Sequence, residues 1–237
     1  MLNMDKKLLK REEEGKIIRV GIVGAGQMGR GMVTQMVLMK GITPAIVSDI
    51  KIENAVHAFK YAEVPDEEIV QAKTLEEANA AMEAGKYVAC EDANFVSQAN
   101  LVECVIDATG VPDVGAKVAT DAMRNKKHVV MLNVETGPYL KKLAEEEGVI
   151  YTGSDGDEPG AVMHLYSFAK AMGLNVEVMG KGKNNKIDYD CNPDTVLEEA
   201  TRRKMSPKML CAFKDGTKTM VEMTAMSNYT GLIPDVI

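Results

Sequence analysis

Three runs of residues in this chain have the types and spacing to do chemistry: Gly24-Ala25-Gly26-Gln27-Met28-Gly29, Gly153-Ser154-Asp155-Gly156-Asp157-Glu158-Pro159-Gly160, and Gly180-Lys181-Gly182-Lys183-Asn184-Asn185-Lys186. The first suits a diphosphate. In a G-x-G-x-x-G run the first glycine permits a tight turn, the second lets phosphates approach bare backbone, and the third lets helix and strand pack closely. The helix N-terminus that follows adds free N–H donors and a partial positive charge. Gly24, Gly26, Gln27, Met28 and Gly29 are therefore expected to bind a dinucleotide, NAD or NADP. The second run carries three carboxylates, Asp155, Asp157 and Glu158. One reading has Asp157 and Glu158 simply cap the helix that Pro159 opens and complement its dipole; because capping needs one acid and the run supplies three, the other has Asp155, Asp157 or Glu158 hold substrate hydroxyls or a divalent cation. No His/Cys spacing supports a transition-metal site, and no metal ligands are assigned. The third run offers ammonium and amide donors with almost no apolar cover, suited to a phosphate, a carboxylate or a developing enolate. Crowded ammonium groups lower one another's pKa, which poises Lys181 or Lys183 as a general acid; the plain alternative is a solvated basic loop.

These residues need elements to hold them. The apolar run Ile17, Ile18, Val20, Ile22, Val23 leads into the glycine turn, and Met32, Met36 and Met39 recur as on one helix face. A second strand, Pro44 to Asp49, ends in a carboxylate some 20 residues past the glycines, where a ribose-binding acid is expected. Asp49 there accepts from a 2′-OH and repels a 2′-phosphate, favouring NAD; Lys51 close by keeps NADP open, and a simple cap for the next helix is the alternative. Leu101 to Ala108 reads as a strand running into Thr109 and Gly110, small residues at a carboxyl edge and so either cofactor contacts or a β-turn. Glu135, just after the expected strand His128 to Leu132, joins the cofactor set. Tyr87 to Cys90 and Val149 to Tyr151 complete the strands. Helices are expected at Glu53 to Phe59, Thr74 to Ala84 with a Thr74/Glu77 capping box, Asp113 to Asn125, and Pro138 to Glu147. Strands alternating with helices imply parallel pairing and right-handed crossovers, hence an α/β, doubly wound Rossmann sheet over residues 1–153.

Beyond Gly153 the pattern gives a helix with Ala161, Leu165, Phe168 and Met172 on its apolar face, and an alternating strand from Leu174 to Met179. A helix from Thr195 to Met205 follows, with a Thr195/Glu198 capping box and Pro207 as its break. The last helix, Lys218 to Asn228, has Lys218 and Glu222 four apart. Met205, Met209, Met220, Met223 and Met226 read as adaptable core.

With 237 residues, 46% of them hydrophobic, the chain is long enough for one doubly wound domain and part of another. A net charge of -7 argues against nucleic acid or an anionic membrane surface as partner. A small-molecule substrate and further copies of the chain are the partners expected. Cys90, Cys104, Cys191 and Cys211 lack C-x-x-C spacing, which points away from zinc or a disulfide framework and towards the cytoplasm. Met1 to Lys16 is charged, an amphipathic lead-in helix rather than a leader or anchor.

Taken together, VGIVGAGQMGRGM, VIDATGVP, MLNVE, GSDGDEPGAVMHLYSFA, GKGKNN and FKDGTKTMVEM resemble the homoserine-dehydrogenase-like NAD(P) oxidoreductases that carry a C-terminal SAF domain. That branch includes reductoisomerase-like enzymes that make methylerythritol phosphate from deoxyxylulose phosphate. The resemblance runs from about Ile17 to Pro234, and family members continue past this point into the SAF domain. It implies a Rossmann domain followed by a mixed α/β catalytic domain over residues 154–237. It further implies that Gly24, Gly26, Gln27 and Met28 meet the cofactor and that Asp157, Glu158, Lys181, Lys183 and Lys218 face the substrate. The expected activity is hydride transfer between NAD(P) and a carbonyl or hydroxyl of a small polyol, hydroxy acid or sugar phosphate, with a lysine as proton donor. Homoserine dehydrogenase is the alternative among enzymes. An NAD(P)-binding sensor or assembly subunit without turnover is the alternative outside them.

Overall fold

The computed structural model describes residues 3–133, 137–183, 185–203 and 205–235. Two compact units make up the chain, Met1–Gly153 and Ser154–Ile237.

The first unit is built on β1 (Ile18–Val23), β2 (Ile42–Ser48), β3 (Ile69–Gln71), β4 (Tyr87–Cys90), β5 (Cys104–Asp107), β6 (His128–Met131) and β7 (Tyr151–Gly153). They form one sheet in the order β3-β4-β2-β1-β5-β6-β7, and each of these neighbouring pairs runs parallel. Apart from the short edge strand β3, this is the 3-2-1-4-5-6 order of a dinucleotide-binding sheet, with the direction of winding reversed at β1. The helices are α1 (Met4–Glu13), α2 (Gln27–Leu38), α3 (Ile52–Tyr61), α4 (Leu75–Glu83), α5 (Ala93–Gln98), α6 (Pro112–Arg124) and α7 (Gly137–Glu147).

A parallel sheet buried on both faces needs two cores, and two are present. Val20 and Ile22 of β1 pack with Val33 and Met36 of α2 and with Ala55, Ala58 and Phe59 of α3. Val23 of β1 belongs to the other core, with Val96 of α5, Val118, Ala119, Ala122 and Met123 of α6, and Leu140 and Ala144 of α7. The alternation of β1 thus feeds both layers. The Thr74 hydroxyl accepts from the Glu77 N–H (3.2 Å) and Glu77 accepts from the Lys73 N–H (2.8 Å), so the expected cap of α4 forms.

The second unit is helical among its described residues: α8 (Glu158–Ala171), α9 (Leu197–Arg203), α10 (Pro207–Lys214) and α11 (Thr217–Thr230). The strand expected over 174–179 does not form, and that stretch has no regular structure. Alternation suits a pleat only where a second strand supplies the ladder, and no strand occurs among the described residues here. The Thr195 box is also replaced: Asn192 accepts from the Asp194 and Thr195 N–H groups, while the Thr195 hydroxyl turns back to the Asn192 carbonyl. The stripe expected to be buried on α8 is exposed at Leu165 (71%), Phe168 (64%) and Met172 (55%). The core of this unit comprises Cys191, Val196, Ala200, Leu210 and Cys211. Of the methionines read as core, Met226 is buried whereas Met209 and Met220 are exposed.

At the end of β1, a Cβ on Gly29 would lie 1.9 Å from the Gly24 carbonyl oxygen, whereas a Cβ on Gly26 would meet nothing within 4 Å. Gly29→Ala is therefore expected to destabilise the protein by about 1–3 kcal/mol or more, as over-packing does. Gly26→Ala should change stability by less than about 0.5 kcal/mol. Thermal denaturation of the two variants checks this; equal melting temperatures would refute the packing argument.

Candidate functional site

A candidate site lies in each unit. In the first, β1 ends at Gly24, whose φ of +97° is open to glycine and whose missing Cβ would lie 2.7 Å from the Ala108 carbonyl. The turn then exposes Gly26, Gln27 and Met28. Gly26 caps α2 with no side-chain hydrogen bond, leaving the N–H groups of the first turn for another acceptor. An exposed helix N-terminus over β1, at the point where the winding reverses, fits the diphosphate of a dinucleotide.

Asp49 follows β2. One carboxylate oxygen accepts from the Ala25 N–H (2.8 Å), and the other accepts from the Lys51 N–H and the Asn54 side-chain amide (both 3.0 Å). It therefore ties the glycine turn to the start of α3, more than the simple cap weighed from sequence. On the other side of β1, the Thr109 hydroxyl and N–H donate to the Asp107 carboxylate at 2.8 and 3.2 Å. Gly110 is exposed beside it in the left-handed region (φ +67°). Glu135 lies outside the described residues.

In the second unit, Asp157, Glu158, Lys181 and Lys218 come together, and α11 adds Glu222, which is 1% exposed. The Lys181 ammonium donates to Glu158 (2.7 Å) and to Glu222. Lys218 lies 3.8 Å from Asp157 and 3.7 Å from the Glu222 Oε1 atom, which is buried with no hydrogen-bond partner among the described residues. Asp157 caps α8 by accepting from the Glu158 N–H at 3.0 Å. Oxygens of Asp157, Glu158 and Glu222 lie within 4.8 Å of one another, a spacing that would also admit a divalent cation.

Charges in this cluster shift one another. Hydrogen bonding with the Asp157 carboxyl and with Lys181 holds Glu158 down at about 2. Burial, then proton sharing with Glu158, pushes Asp157 up. Burial works against the charge on Lys181, but Glu158 and Glu222 outweigh it and its pKa rises. The expectation that crowded ammonium groups depress one another thus fails for Lys181, because it faces carboxylates.

Lys183 does not join the cluster. Its ammonium donates to the Phe213 carbonyl (2.7 Å) and the Thr219 hydroxyl (3.1 Å), bracketing the connection from α10 to α11. Asp155 pairs instead with His164 at 2.8 Å. Asn184 lies outside the described residues. A cavity of about 520 Å³ is lined by Glu158, Lys181, Lys183, Arg203 and Lys214, with Glu199 bonding the last two. Glu222 was not singled out from sequence as functional: four residues after Lys218 it reads as a surface pair, and nothing in that spacing signals burial.

Sheet order and glycine turn define the class, a doubly wound α/β protein of the Rossmann type. More particularly, residues 156–237 match the family described as oxidoreductase DRL, catalytic domain. Among solved structures, a protein assigned as a myo-inositol dehydrogenase of Sinorhizobium meliloti 1021 is similar over 92% of this chain and 56% of its own, at 14% identity and a TM-score of 0.53. The scyllo-inositol dehydrogenase of Lactobacillus casei with bound NAD(H) and scyllo-inositol is similar over 65% and 42%, at 15% identity and a TM-score of 0.46. An NAD-binding oxidoreductase of Klebsiella pneumoniae is similar over 66% and 39%, at 15% identity and a TM-score of 0.48. The chain thus spans 39–56% of the length of these three structures, and the likeness is one of fold. No curated protein matches. Among the described residues no helix is long and apolar enough to cross a membrane.

Glu158 has its pKa lowered from 4.5 to about 2, so the stability it contributes is present above pH 4.5 and is lost as pH falls through about 2. Glu158→Gln should accordingly be less stable than the parent at pH 6, with the difference shrinking by pH 3. Urea unfolding at the two pH values measures it; a constant difference would remove the ion pair as its cause.

Proposed function

We propose that the chain is an NAD(P)-dependent oxidoreductase acting on a hydroxyl or carbonyl group of a small polar substrate, such as a polyol, a hydroxy acid or a sugar phosphate. The observation that carries this reading is the exposed Gly26–Met28 turn at the switch point of the sheet. The family match of residues 156–237 supports the oxidoreductase class. The inositol dehydrogenases that share the fold support a polyol among the substrates to be tried. Neither homoserine dehydrogenase nor a reductoisomerase appears among these matches, so both enter only through their substrates in the test.

The first unit binds the dinucleotide. Its diphosphate takes the N–H groups at the start of α2. Asp49 accepts three hydrogen bonds among the described residues. A carboxylate accepts about four, so one acceptor position remains for a ribose hydroxyl, and the negative charge disfavours a 2′-phosphate. The nicotinamide, when bound, supplies or accepts the hydride.

The second unit provides the acid–base group. Lys181 donates to Glu158 and Glu222, and Lys183 to the Phe213 carbonyl and Thr219, so two of the three N–H donors of each are engaged. Lys218, about one-fifth exposed, makes no hydrogen bond among the described residues; carboxylates at 3.7 and 3.8 Å flank it. Its ammonium therefore has donors left for a substrate oxygen, giving a proton as a carbonyl is reduced and taking one in reverse. Glu222 and Asp157 orient it, and Lys181 offsets the remaining acidic charge.

Gly26→Val should abolish NADH and NADPH binding in calorimetry while the protein remains folded, because the new side chain fills the space the diphosphate needs. Undiminished affinity in a folded variant would end the dinucleotide reading. For the reaction, the panel is myo- and scyllo-inositol, homoserine, deoxyxylulose phosphate and small hydroxy acids, followed at the NAD(P)H absorbance. Lys218→Met should lower kcat/KM by roughly 10² or more on whichever compound turns over, with cofactor affinity unchanged. A panel with no turnover by a protein that binds NAD(P)H would favour the sensor over the enzyme.

A further inference from the structure

Asp107, at the carboxyl end of β5, is 0% exposed. One of its oxygens accepts both the Thr109 N–H and the Thr109 hydroxyl, and the other accepts from the Asn133 side-chain amide at the end of β6. The same amide reaches the Thr109 hydroxyl at 3.3 Å. Helix α6 packs directly on this group: a Cβ at Gly115 would fall 2.4 Å from the Asp107 carboxylate and 2.8 Å from the Asn133 amide nitrogen. Burial raises the Asp107 pKa against the hydrogen bonds from Thr109 and Asn133 that lower it. A carboxylate kept at such a place is costly as packing, whereas its acceptors match the donors of Thr109.

What the network fixes is the peptide from Ala108 to Gly110. That peptide is the one Gly24 touches, since a Cβ on Gly24 would lie 2.7 Å from the Ala108 carbonyl and 2.9 Å from the Thr109 nitrogen. It also lies on the far side of β1 from Asp49, because β2 and β5 flank β1. A dinucleotide with its diphosphate on the glycine turn and its adenosine ribose at Asp49 extends its other half over β5.

We infer that Asp107, held by Asn133, is a positioning residue that sets the Thr109–Gly110 loop for the nicotinamide half of the cofactor. This inference rests on the dinucleotide reading of the glycine turn. It divides the site into an adenosine side governed by Asp49 and a nicotinamide side governed by the Asp107–Asn133 pair.

The test uses the full chain and two probes, NADH and ADP-ribose, which lacks the nicotinamide. Asp107→Asn turns the oxygen facing Asn133 into a second donor. It should weaken NADH about tenfold, the usual scale for one mismatched buried hydrogen bond, and ADP-ribose by less than about threefold. The exchanged pair, Asp107→Asn with Asn133→Asp, restores a donor facing an acceptor and should bring NADH affinity back to within about threefold of the parent. A residue that only stabilised the fold would not separate the two probes. Equal weakening of both probes, no weakening in a folded single variant, or failure of the exchanged pair to restore binding would each overturn the inference. If the parent binds neither probe, the dinucleotide reading itself falls and this one with it.

Discussion

At the end of β1, backbone packs on backbone with no side chain between. The Gly24 carbonyl bears on Gly29 of α2, and the Gly24 Cα bears on the Ala108–Thr109 peptide after β5. Three segments are thereby locked together at the one edge of the sheet where a ligand of this fold belongs. The glycines remove volume; Asp49 and Asp107 supply the polar ties from either side, Asp49 to Ala25 and Asp107 to Thr109. Geometry here comes from the absence of side chains as much as from their presence. It leaves Gly26, Gln27 and Met28 exposed on a turn that is otherwise fixed.

A different constraint governs the second unit. Glu222 is withdrawn from solvent, and removing a carboxylate from water costs several kcal/mol unless charge and hydrogen bonds compensate it. Lys181 meets that demand from the lysine loop, and Glu158 completes the link to the first turn of α8. Lys183 ties the same loop to the junction of α10 and α11. Two lysines of one G-K-G-K run thus have separate tasks: one neutralises a buried acid, the other closes a helix junction. Lys218, on the helix that buries Glu222, keeps its donors.

Much of the first unit was legible because its signals are local. The apolar run through Ile18–Val23, the glycine turn and the capping box at Thr74 need only neighbouring residues to act, and each has the form the pattern implies. Asp49 could be placed at the end of β2 by counting from the glycines. In the second unit, Leu174–Met179 alternates as well as a true strand but has no partner strand among the described residues. Leu165, Phe168 and Met172 share a helix face that is exposed nonetheless. Amphipathic pattern states which side of a helix could be buried; whether a surface is there to cover it is a tertiary fact.

By itself the sequence determined the α/β class, the glycine turn and the identity of the carboxylates and lysines available for chemistry. Those follow from backbone sterics and the hydrophobic period, both short-range along the chain. Only the tertiary structure decided which lysines are hydrogen-bonded and which stands beside carboxylates without a hydrogen bond among the described residues, that Glu222 is buried rather than part of a surface pair, and that Asp107, bonded locally to Thr109, also meets Asn133 from beyond the neighbouring strand. Ammonium and carboxylate groups carry the same charge wherever they stand in a sequence. What they do depends on burial and on partners 26 to 41 residues away, as for Asn133 with Asp107 and Lys181 with Glu222, and those distances close only when the chain folds.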